Sequence, residues 1–337
     1  MPSYIIGEAG VNHDGDINKA KLLIDIAKES GCNCVKFQTF KTENIVTKNA
    51  KKADYQVNNT NNNESQYNML KRLELGYEDF YELKHYCDEK NIDFLSSPFD
   101  FESVDLLEKI GVNAYKLSSG EITNKPLIKY VAKKQKKVIL STGMSTMDEV
   151  EAAVNWIKEE NNFDIVLLHC TSNYPADYSS VNMKAMIAMK EKFDLPVGYS
   201  DHTEGIAIPI LATAFGSVVI EKHFTYDKNA DGPDHKASLE PEELKQMVAE
   251  IRKVESAIGN GIKCPTNEEL STKIAARKSI VWLKDIDENT IIRLDDLCIK
   301  RPGDGIPPYM IEDLVGKKTT RKCYKDNCVK KEDYIDL

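Results

Sequence analysis

The fold class of this chain is indicated by residues 198–235, GYSDHTEGIAIPILATAFGSVVIEKHFTYDKNADGPDH. Two short apolar runs, 195–199 and 218–220, are separated by a segment long enough for one helix. Polar and charged residues follow both runs, namely Ser200, Asp201, His202, Glu221 and His223. A strand, a helix and a second strand in this order predict a unit of a parallel sheet, in which both strand ends lie at the same edge.

Each of these two strand ends carries a histidine close to a carboxylate. His202 directly follows Asp201, and His223 lies two positions after Glu221. Imidazole nitrogens and carboxylate oxygens are ligands for first-row divalent ions. The pattern predicts a divalent metal site, with a structural role as the simpler alternative for either histidine alone.

The same alternation of apolar runs and amphipathic segments extends over most of the chain. Eight runs predict strands at 4–7, 34–37, 93–95, 114–117, 137–140, 165–168, 196–199 and 218–220. Helical patterns lie between or after them, for example at 17–30, 77–90, 147–160, 183–192 and 241–258. The sequence therefore predicts an α/β protein with a parallel (β/α)8 (TIM) barrel. An open doubly wound sheet is the competing fold, but no GxGxxG fingerprint follows the first strand.

Two segments depart from this pattern. The long loop before the helix at 77 contains the Asn-rich NNTNNNESQ (58–66), and its length predicts a lid over the site, with a disordered insert as the alternative. After Gly259, glycine, proline and polar residues predict a linker, and short β-like runs follow at 279–283 and 290–293. We expect a catalytic barrel over 1–260, a linker over 261–277 and a small β-rich domain over 278–337.

The composition narrows the class of function. A formal net charge of −9 argues against a general nucleic-acid surface. No apolar run is long enough to span a membrane, and MPSYIIGEAG lacks the features of a signal peptide. The 8 cysteines include no CxxC pair and are expected to be reduced thiols. These features predict a cytoplasmic protein.

The chemistry of a (β/α)8 barrel lies at the C-terminal ends of its strands, and every predicted strand end here is polar. Besides the residues at 200–223, the set contains Glu8, Asn12, His13, Lys36, Gln38, Ser96, Ser97, Lys116, Ser118, Ser119, Gly120, Glu121, Ser141, Thr142, Gly143, His169, Thr171 and Tyr174. Lys36 and Lys116, among serine and glycine, predict a cradle for phosphate or carboxylate. Glu8 is a candidate general base.

A metal that polarises a carbonyl would complete a site for carbon–carbon bond formation between a phosphorylated enol and an aldehyde. Two other readings stay open. One is an aldolase that forms a Schiff base on Lys36 or Lys116. The other is a non-catalytic carbohydrate- or ice-binding protein.

Eight motifs give the chain a specific resemblance over nearly its whole length. They are EAGVNHDG (8–15), VKFQTF (35–40), STGM (141–144), LHCTSNYP (168–175), YSDHT (199–203), EKHFT (221–225), GPDH (232–235) and KRPGDGI (300–306). With these motifs the chain resembles the sialic acid synthases, which condense phosphoenolpyruvate with an N-acetylated amino sugar. The resemblance implies that the part after Arg277 is an antifreeze-like (SAF) module.

The resemblance also implies roles for the matching residues. His202 and His223 would bind the metal, Mn²⁺ in preference to Mg²⁺ or Co²⁺, and Glu8 would activate the attacking water. Phosphoenolpyruvate would be held by Lys36, Lys116, Ser119, Ser141, Ser200 and a loop asparagine, Asn61 or alternatively Asn59. The residues that line the sugar site would be Gln38, Glu121, Tyr174, Glu221 and Asp234. Arg301 would reach the barrel of a partner subunit, which implies a homodimer with exchanged C-terminal domains.

The identity of the sugar stays open among N-acetylmannosamine, its 6-phosphate and 6-deoxy diacetamido sugars. SGEITN (119–124) and GPDHKAS (232–238) resemble the branch that makes legionaminic acid. ELSANH, typical of the pseudaminic-acid branch, is replaced by EAGVNH (8–13). The 6-phosphate is disfavoured because no further basic cluster is evident near the mouth of the barrel.

Overall fold

A computed structural model describes residues 2–60 and 64–336. The chain divides into two compact units, Met1–Gly259 and Asn260–Leu337, and each unit has an apolar core of its own. Within the two described ranges, no helix combines the length and the hydropathy that crossing a bilayer requires.

The first unit is a barrel of eight parallel strands. Their order is β3-β2-β1-β8-β7-β6-β5-β4, and β3 and β4 lie side by side, so that the sheet is nearly closed. This confirms the predicted (β/α)8 architecture over the open doubly wound sheet. The strands are β1 Tyr4–Gly10, β2 Cys34–Thr39, β3 Asp93–Pro98, β4 Ala114–Leu117, β5 Lys137–Ser141, β6 Ile165–His169, β7 Val197–Asp201 and β8 Val219–His223.

Each strand is followed by a helix that packs on the outside of the barrel. The helices are α1 Ile17–Glu29, α2 Thr42–Ile45, α3 Asp54–Asn59, α4 Gln66–Leu73, α5 Tyr77–Lys90, α6 Phe101–Ile110, α7 Lys125–Ala132, α8 Met147–Lys158, α9 Lys184–Phe193, α10 Ala207–Ala214 and α11 Pro241–Ile258. Of these, α2, α3 and α4 belong to the long loop between β2 and α5.

Side-chain alternation along the strands separates the site from the core. Ile6, Cys34 and Leu95 belong to an apolar cluster inside the barrel. Two positions further along the same strands stand Glu8, Lys36 and Ser97, which face the same way because strand side chains repeat with period two. The polar layer therefore lies directly above an apolar floor, toward the C-terminal ends of the strands.

The other face of the strands is packed under the helices. Val35, Tyr115 and Ile220 are fully buried there with helix residues such as Leu23 and Leu83. Burying one large apolar side chain contributes about 1.5–3 kcal/mol. A one-residue slip of a strand would exchange its apolar and polar faces, so the summed burial fixes the register.

The long loop contains three helices and packs against the barrel where the structure describes it. Met69 and Leu73 of α4 pack with Val11 and Phe40 in a small apolar cluster. Other loop residues, Gln56 among them, reach the mouth of the barrel. For the described residues, this arrangement supports the prediction of a lid rather than that of a disordered insert.

The second unit is small and rich in short strands. Its elements are α12 Asn267–Ala276, β9 Ser279–Trp282, β10 Leu297–Lys300, α13 Ile311–Leu314, β11 Lys318–Thr319 and β12 Tyr334–Ile335. β9 pairs antiparallel with β10, and β11 pairs antiparallel with β12. The core of the unit contains Ile280, Trp282, Ile292, Leu314 and Val329.

Two sequence predictions for this unit need correction. The segment 261–277, predicted as a linker, contains α12, which begins with a capping box between Thr266 and Glu269. The run 290–293, predicted as β-like, makes only an isolated bridge from Ile291 to Lys318. A short alternating run does not show whether a partner strand is available over its whole length.

Candidate active site

A cavity of about 610 Å³ opens at the C-terminal ends of the barrel strands. It brings together most of the residues that the sequence placed in the site. Its wall includes Glu8, Lys36, Gln38, Lys116, Ser119, Ser141, Tyr174, Ser200, His202, Glu221 and His223. These residues come from distant parts of the chain, and only the closing of the barrel makes them neighbours.

Four charged side chains lie together in this cavity, and we call Glu8, Lys36, Lys116 and Glu221 the buried charge cluster. Lys36 Nζ lies 2.6 Å from Glu8 Oε2 and 3.7 Å from Glu221 Oε2. Lys116 Nζ lies 3.4 Å from Glu221 Oε1. The four side chains are all 4% exposed or less. Because an unpaired buried charge is costly, two ammonium groups and two carboxylates stabilise one another here.

Strand register explains why these groups meet. Glu8 of β1 is paired with Lys36 of β2 on one side and with His223 of β8 on the other. Ser200 of β7 is paired with Glu221 of β8, and its hydroxyl donates to Glu221 Oε1 over 2.9 Å. The register therefore places Glu8, Lys36 and His223 at one level of the barrel.

Further hydrogen bonds complete the surroundings of the buried charge cluster. Lys36 Nζ donates to Ser97 Oγ over 3.2 Å, and Gln38 Nε2 donates to Glu8 Oε1 over 3.3 Å. Lys36 is therefore shared between two carboxylates and a hydroxyl. An anionic ligand that binds Lys36 has to compete with these partners.

The two carboxyl groups of the buried charge cluster differ in their pKa values. Burial raises the pKa of Glu8 to about 7, although Lys36 opposes the shift. Burial acts in the same direction on Glu221, but the attraction of Lys116 and Lys36 outweighs it and holds the pKa of Glu221 at about 2. Of the two carboxyl groups, Glu8 is therefore the one that exchanges a proton near neutral pH.

The two lysines also differ from each other. Burial lowers the pKa of Lys116. Burial acts likewise on Lys36, but Glu221 and Glu8 overcome it and raise the pKa of Lys36 above its usual value. Lys36 is therefore a permanent cation of the site, and Lys116 gives up its proton more readily.

His202 and His223 lie beside each other, with ring centroids 5.5 Å apart. The Tyr174 ring packs against both, at 4.2 Å from His202 and 5.6 Å from His223. His202 Nδ1 lies 2.8 Å from the Thr171 carbonyl oxygen. Since a carbonyl only accepts, Nδ1 carries the proton and Nε2 keeps its lone pair.

Both histidines are in the form that binds metal ions. Burial lowers the pKa of His202 to about 4, and burial together with His202 and Lys36 lowers the pKa of His223. Among the described residues, His223 Nδ1 is buried without a hydrogen-bond partner. Neutral imidazoles with an uncommitted nitrogen suit a first-row transition metal.

The two histidines would supply only some of the ligands of such an ion. Among residues 2–60 and 64–336, no three His, Cys, Asp or Glu side chains are grouped as a metal site. An ion at His202 and His223 would take its other ligands from water or substrate, as open catalytic sites do. The residues present therefore fit a divalent ion with several exchangeable positions.

Of four further residues to which the resemblance gives a role, Glu121 and Asp234 do not line this cavity. Asn61 lies outside the described residues, and Arg301 belongs to the second unit. The carboxylate of Glu121 accepts from Asn124 Nδ2 over 2.6 Å. Asp234 is buried, which raises its pKa to about 6. The roles of these four residues remain predictions.

The alternative loop asparagine has a different contact. Asn59 Nδ2 donates to the Pro233 carbonyl over 2.7 Å, directly before Asp234. Its amide nitrogen therefore joins the long loop to the GPDH segment. This bond uses one of the two N–H donors of the Asn59 side chain.

The structure also adds residues that the sequence analysis missed. Gln56 and Gln66 of the long loop and Ser172 and Asn173 after β6 line the cavity. Asn173 lies within the LHCTSNYP motif, which could have identified it, whereas nothing in the loop pattern marks the glutamines. A Cβ at Gly143 would lie 2.2 Å from Ser172 Oγ and 2.9 Å from Ser119 Oγ, so a larger residue there would displace two serine side chains.

Comparisons with known proteins agree with both units. The profile of the NeuB family matches residues 23–263, and that of the SAF domain matches residues 277–334. The chain is 49% identical over 333 residues to N,N'-diacetyllegionaminic acid synthase of Campylobacter jejuni, covering 97% of this chain and 99% of that protein. It is 48% identical to the protein of the same name from Legionella pneumophila, covering 94% of this chain and 90% of that one.

A solved structure is similar as well. The N-acetylneuraminic acid (sialic acid) synthetase of Leptospira borgpetersenii, in complex with citrate, superposes with a TM-score of 0.71 at 36% identity. The match covers 81% of this chain and 90% of that one. At this identity the likeness extends beyond the fold to the sequence.

Proposed function

This chain belongs to the NeuB family, and we propose that it condenses phosphoenolpyruvate with an N-acetylated amino sugar and water to give a nonulosonic acid and phosphate. The family match and the relatives confirm the resemblance to sialic acid synthases, and the chain is an enzyme of this sialic-acid-type group. We assign it to the transferases that use phosphoenolpyruvate. The observation that carries the reaction is one cavity that combines Lys36, Lys116 and Glu8 with a pair of neutral histidines.

For the sugar we propose 2,4-diacetamido-2,4,6-trideoxymannose ahead of N-acetylmannosamine. Support comes from the two relatives at 49% and 48% identity, which are both named for N,N'-diacetyllegionaminic acid. The product would then be a legionaminic acid rather than N-acetylneuraminate.

Phosphoenolpyruvate would bind through its two anionic groups. Lys36 and Lys116 would supply the positive charge, and Ser119, Ser141 and Ser200 of the same cavity would supply hydroxyl donors. Asn61 would complete the set from the long loop. Glu221 contacts both lysines and would compete with the anion for them.

His202 and His223 would hold a divalent ion, Mn²⁺ in preference to Mg²⁺ or Co²⁺. When bound, the ion supplies Lewis acidity to the aldehyde oxygen of the open-chain sugar. The two rings and Tyr174 form one wall of the cavity, so a sugar would lie between them and the lysines. Gln38, Glu121, Glu221 and Asp234 would contact its polar groups.

The bond changes follow from this arrangement. C3 of phosphoenolpyruvate attacks the aldehyde carbon, the C=O π electrons move to the aldehyde oxygen, and that oxygen takes up a proton to become a hydroxyl. Water then attacks the oxocarbenium at C2. Glu8 accepts the proton that this water loses, which suits a carboxylate whose pKa is raised to about 7 by burial. The tetrahedral intermediate expels phosphate by C–O cleavage as its C2 hydroxyl loses a proton and becomes the ketone, while Lys36 and Lys116 stabilise the negative charge on the leaving group.

We further propose a homodimer in which Arg301 completes the sugar site of the partner subunit. The support is the KRPGDGI motif and the SAF match that contains it. This assembly is tested by the complementation experiment in the Discussion.

The reaction is tested by incubating the purified protein with phosphoenolpyruvate, Mn²⁺ and each candidate sugar. Phosphate release and the mass of the acid product are followed together. We expect the diacetamido sugar to give the highest kcat/KM. No phosphate release with any N-acetylated sugar would overturn the proposal.

A Schiff-base aldolase is the second candidate, because burial lowers the pKa of Lys116. Borohydride treatment with pyruvate would trap an adduct on that lysine. An adduct, together with full activity in EDTA, would favour the aldolase over the synthase.

A further inference from the structure

A fully buried ion pair lies behind the proposed metal ligands. Lys222 Nζ is 2.6 Å from Asp201 Oδ2, and both side chains are 0% exposed. The two residues are paired in the register of β7 and β8. Neither belongs to the cavity wall, so neither contacts a ligand bound there.

This pair alternates with residues of the site along both strands. Lys222 stands between Glu221 and His223, and Asp201 stands between Ser200 and His202. Successive side chains of a strand point to opposite faces. The ion pair therefore occupies the outer face of the two strands at the level where the inner face carries the site.

Both charged groups converge on Thr203. The Asp201 carboxylate accepts from Thr203 Oγ1, at 3.0 Å from each oxygen, and from the Thr203 N–H at 3.3 Å. Lys222 Nζ donates to the Thr203 carbonyl. The residues before and after His202 are thus tied to the same ammonium–carboxylate pair.

His202 itself is held from the side of β6. Its carbonyl accepts from the Ala176 N–H over 2.8 Å, and its Nδ1 donates to the Thr171 carbonyl over 2.8 Å. The ring keeps this orientation only while the backbone at 201–203 is fixed. A rotation of that turn would break the bond to Thr171, which sets the tautomer.

We propose that Lys222 and Asp201 are positioning residues, which hold the turn after β7 so that His202 presents Nε2 for a divalent ion. The ion itself rests on the proposed function, whereas the orientation of His202 does not. Stability alone gives little reason for the pair, since apolar residues of similar volume commonly replace a buried ion pair without loss. Groups behind a metal ligand do affect its affinity, commonly 10- to 100-fold.

The test replaces both charges at once, with the double variant Asp201→Leu/Lys222→Met. A single replacement would leave one buried charge unpaired and would lower stability for that reason alone. In ¹⁵N NMR of histidine-labelled protein at neutral pH, we expect His202 of the wild type to show one tautomer with the proton on Nδ1. We expect the double variant to show both tautomers and to bind Mn²⁺ about 10- to 100-fold more weakly.

Two further variants separate positioning from general destabilisation. Thr203→Val removes only hydroxyl bonds and should shift the tautomer of His202 in the same direction, to a smaller extent. Ile157→Val, a buried position of α8, lowers stability without touching this region and should change neither readout.

The outcomes are distinct. An unchanged tautomer and unchanged Mn²⁺ affinity in the double variant would overturn the positioning role and leave the metal role standing. If the wild type binds no Mn²⁺, the metal role fails, and the tautomer of His202 still decides the positioning. Should the double variant not fold, Thr203→Val gives the same decision.

Discussion

Lys36 Nζ lies 2.6 Å from Glu8 Oε2, with the two side chains 3% and 1% exposed. The contact joins the proposed anion cradle to the proposed base. An ammonium group that binds an anion is the same group that opposes the rise in the pKa of Glu8. Substitutions at either residue therefore affect both functions, and kinetics have to separate them.

Lys36→Met and Lys116→Met should each raise the KM for phosphoenolpyruvate at least about 10-fold, because a hydrogen bond to a charged group contributes about 1.5–3 kcal/mol. Phosphate release is measured against phosphoenolpyruvate concentration. Lys137→Met, at the exposed start of β5, is the control and should leave KM unchanged. If both variants bind phosphoenolpyruvate as the parent does, the cradle is elsewhere.

The pH dependence of kcat/KM should reflect the protonation of Glu8. The carboxylate form has to accept a proton, and burial raises the pKa of Glu8 to about 7. We therefore expect kcat/KM to be full above about pH 7 and to fall as pH decreases. Glu8→Gln should lose most activity, and its residual rate should lack this inflection. The same inflection in Glu8→Gln would assign it to another group.

Activity should require a divalent ion at the two histidines. EDTA should abolish phosphate release and Mn²⁺ should restore it. His202→Ala and His223→Ala should each lower kcat at least about 100-fold, the scale of losing an electrostatic stabiliser of the transition state. His85→Ala, at an exposed histidine of α5, is the matched control. Full activity of either site variant would exclude the metal role.

Asp14 should make stability depend on acid pH. Burial would raise its pKa, but hydrogen bonds from His235, Lys19 and Tyr226 outweigh burial and lower the pKa to about 2. A lowered carboxyl pKa adds stability above the unfolded value of about 4, and this stability is lost as pH falls toward 2. In urea unfolding, the wild type should lose about 1–2 kcal/mol more than Asp14→Asn between pH 4 and pH 2.

The control for this experiment is Asp164→Asn, which changes an exposed carboxylate with a side chain 63% exposed. It should follow the wild-type curve. If the free energy of unfolding falls equally with pH in the wild type and in Asp14→Asn, the contacts of Asp14 do not stabilise the fold through its charge.

The C-terminal unit should be needed for activity and not for folding of the barrel. Met1–Gly259 has its own core, so a chain ending at Gly259 should unfold cooperatively when heated. It should lose nearly all synthase activity, because Arg301 would be missing from the sugar site. Circular dichroism and phosphate release measure the two effects. Full activity of the shortened chain would remove Arg301 from the site.

Complementation shows whether Arg301 acts across a dimer. Arg301→Ala and Glu8→Ala chains are mixed under conditions of subunit exchange, which is confirmed by mass spectrometry of tagged chains. A mixed dimer with exchanged domains has one complete site, so its activity should approach half that of the wild type. If no activity returns although exchange is confirmed, Arg301 does not act in the site of the partner subunit.

The amino-acid sequence by itself determined the fold and most of the site. Apolar runs alternate with amphipathic segments, so the eight strands could be located, and polar residues at their ends identified the chemistry. Seven of the eight strands were predicted too short, because residues such as Glu8 and His223 continue them while interrupting the apolar pattern. α12 was missed for a related reason, since none of its residues is buried and its only large apolar residues are Leu270 and Ile274.

Only the tertiary structure decided which charged groups meet. The sequence identified Lys36 and Lys116 as cations for an anion, but their buried partners Glu8 and Glu221 follow from strand register across the closed barrel. The pKa values depend on these distances and on burial, neither of which is encoded locally. Lys222 adjoins His223 in sequence, and strand alternation turns it away from the cavity to pair with Asp201.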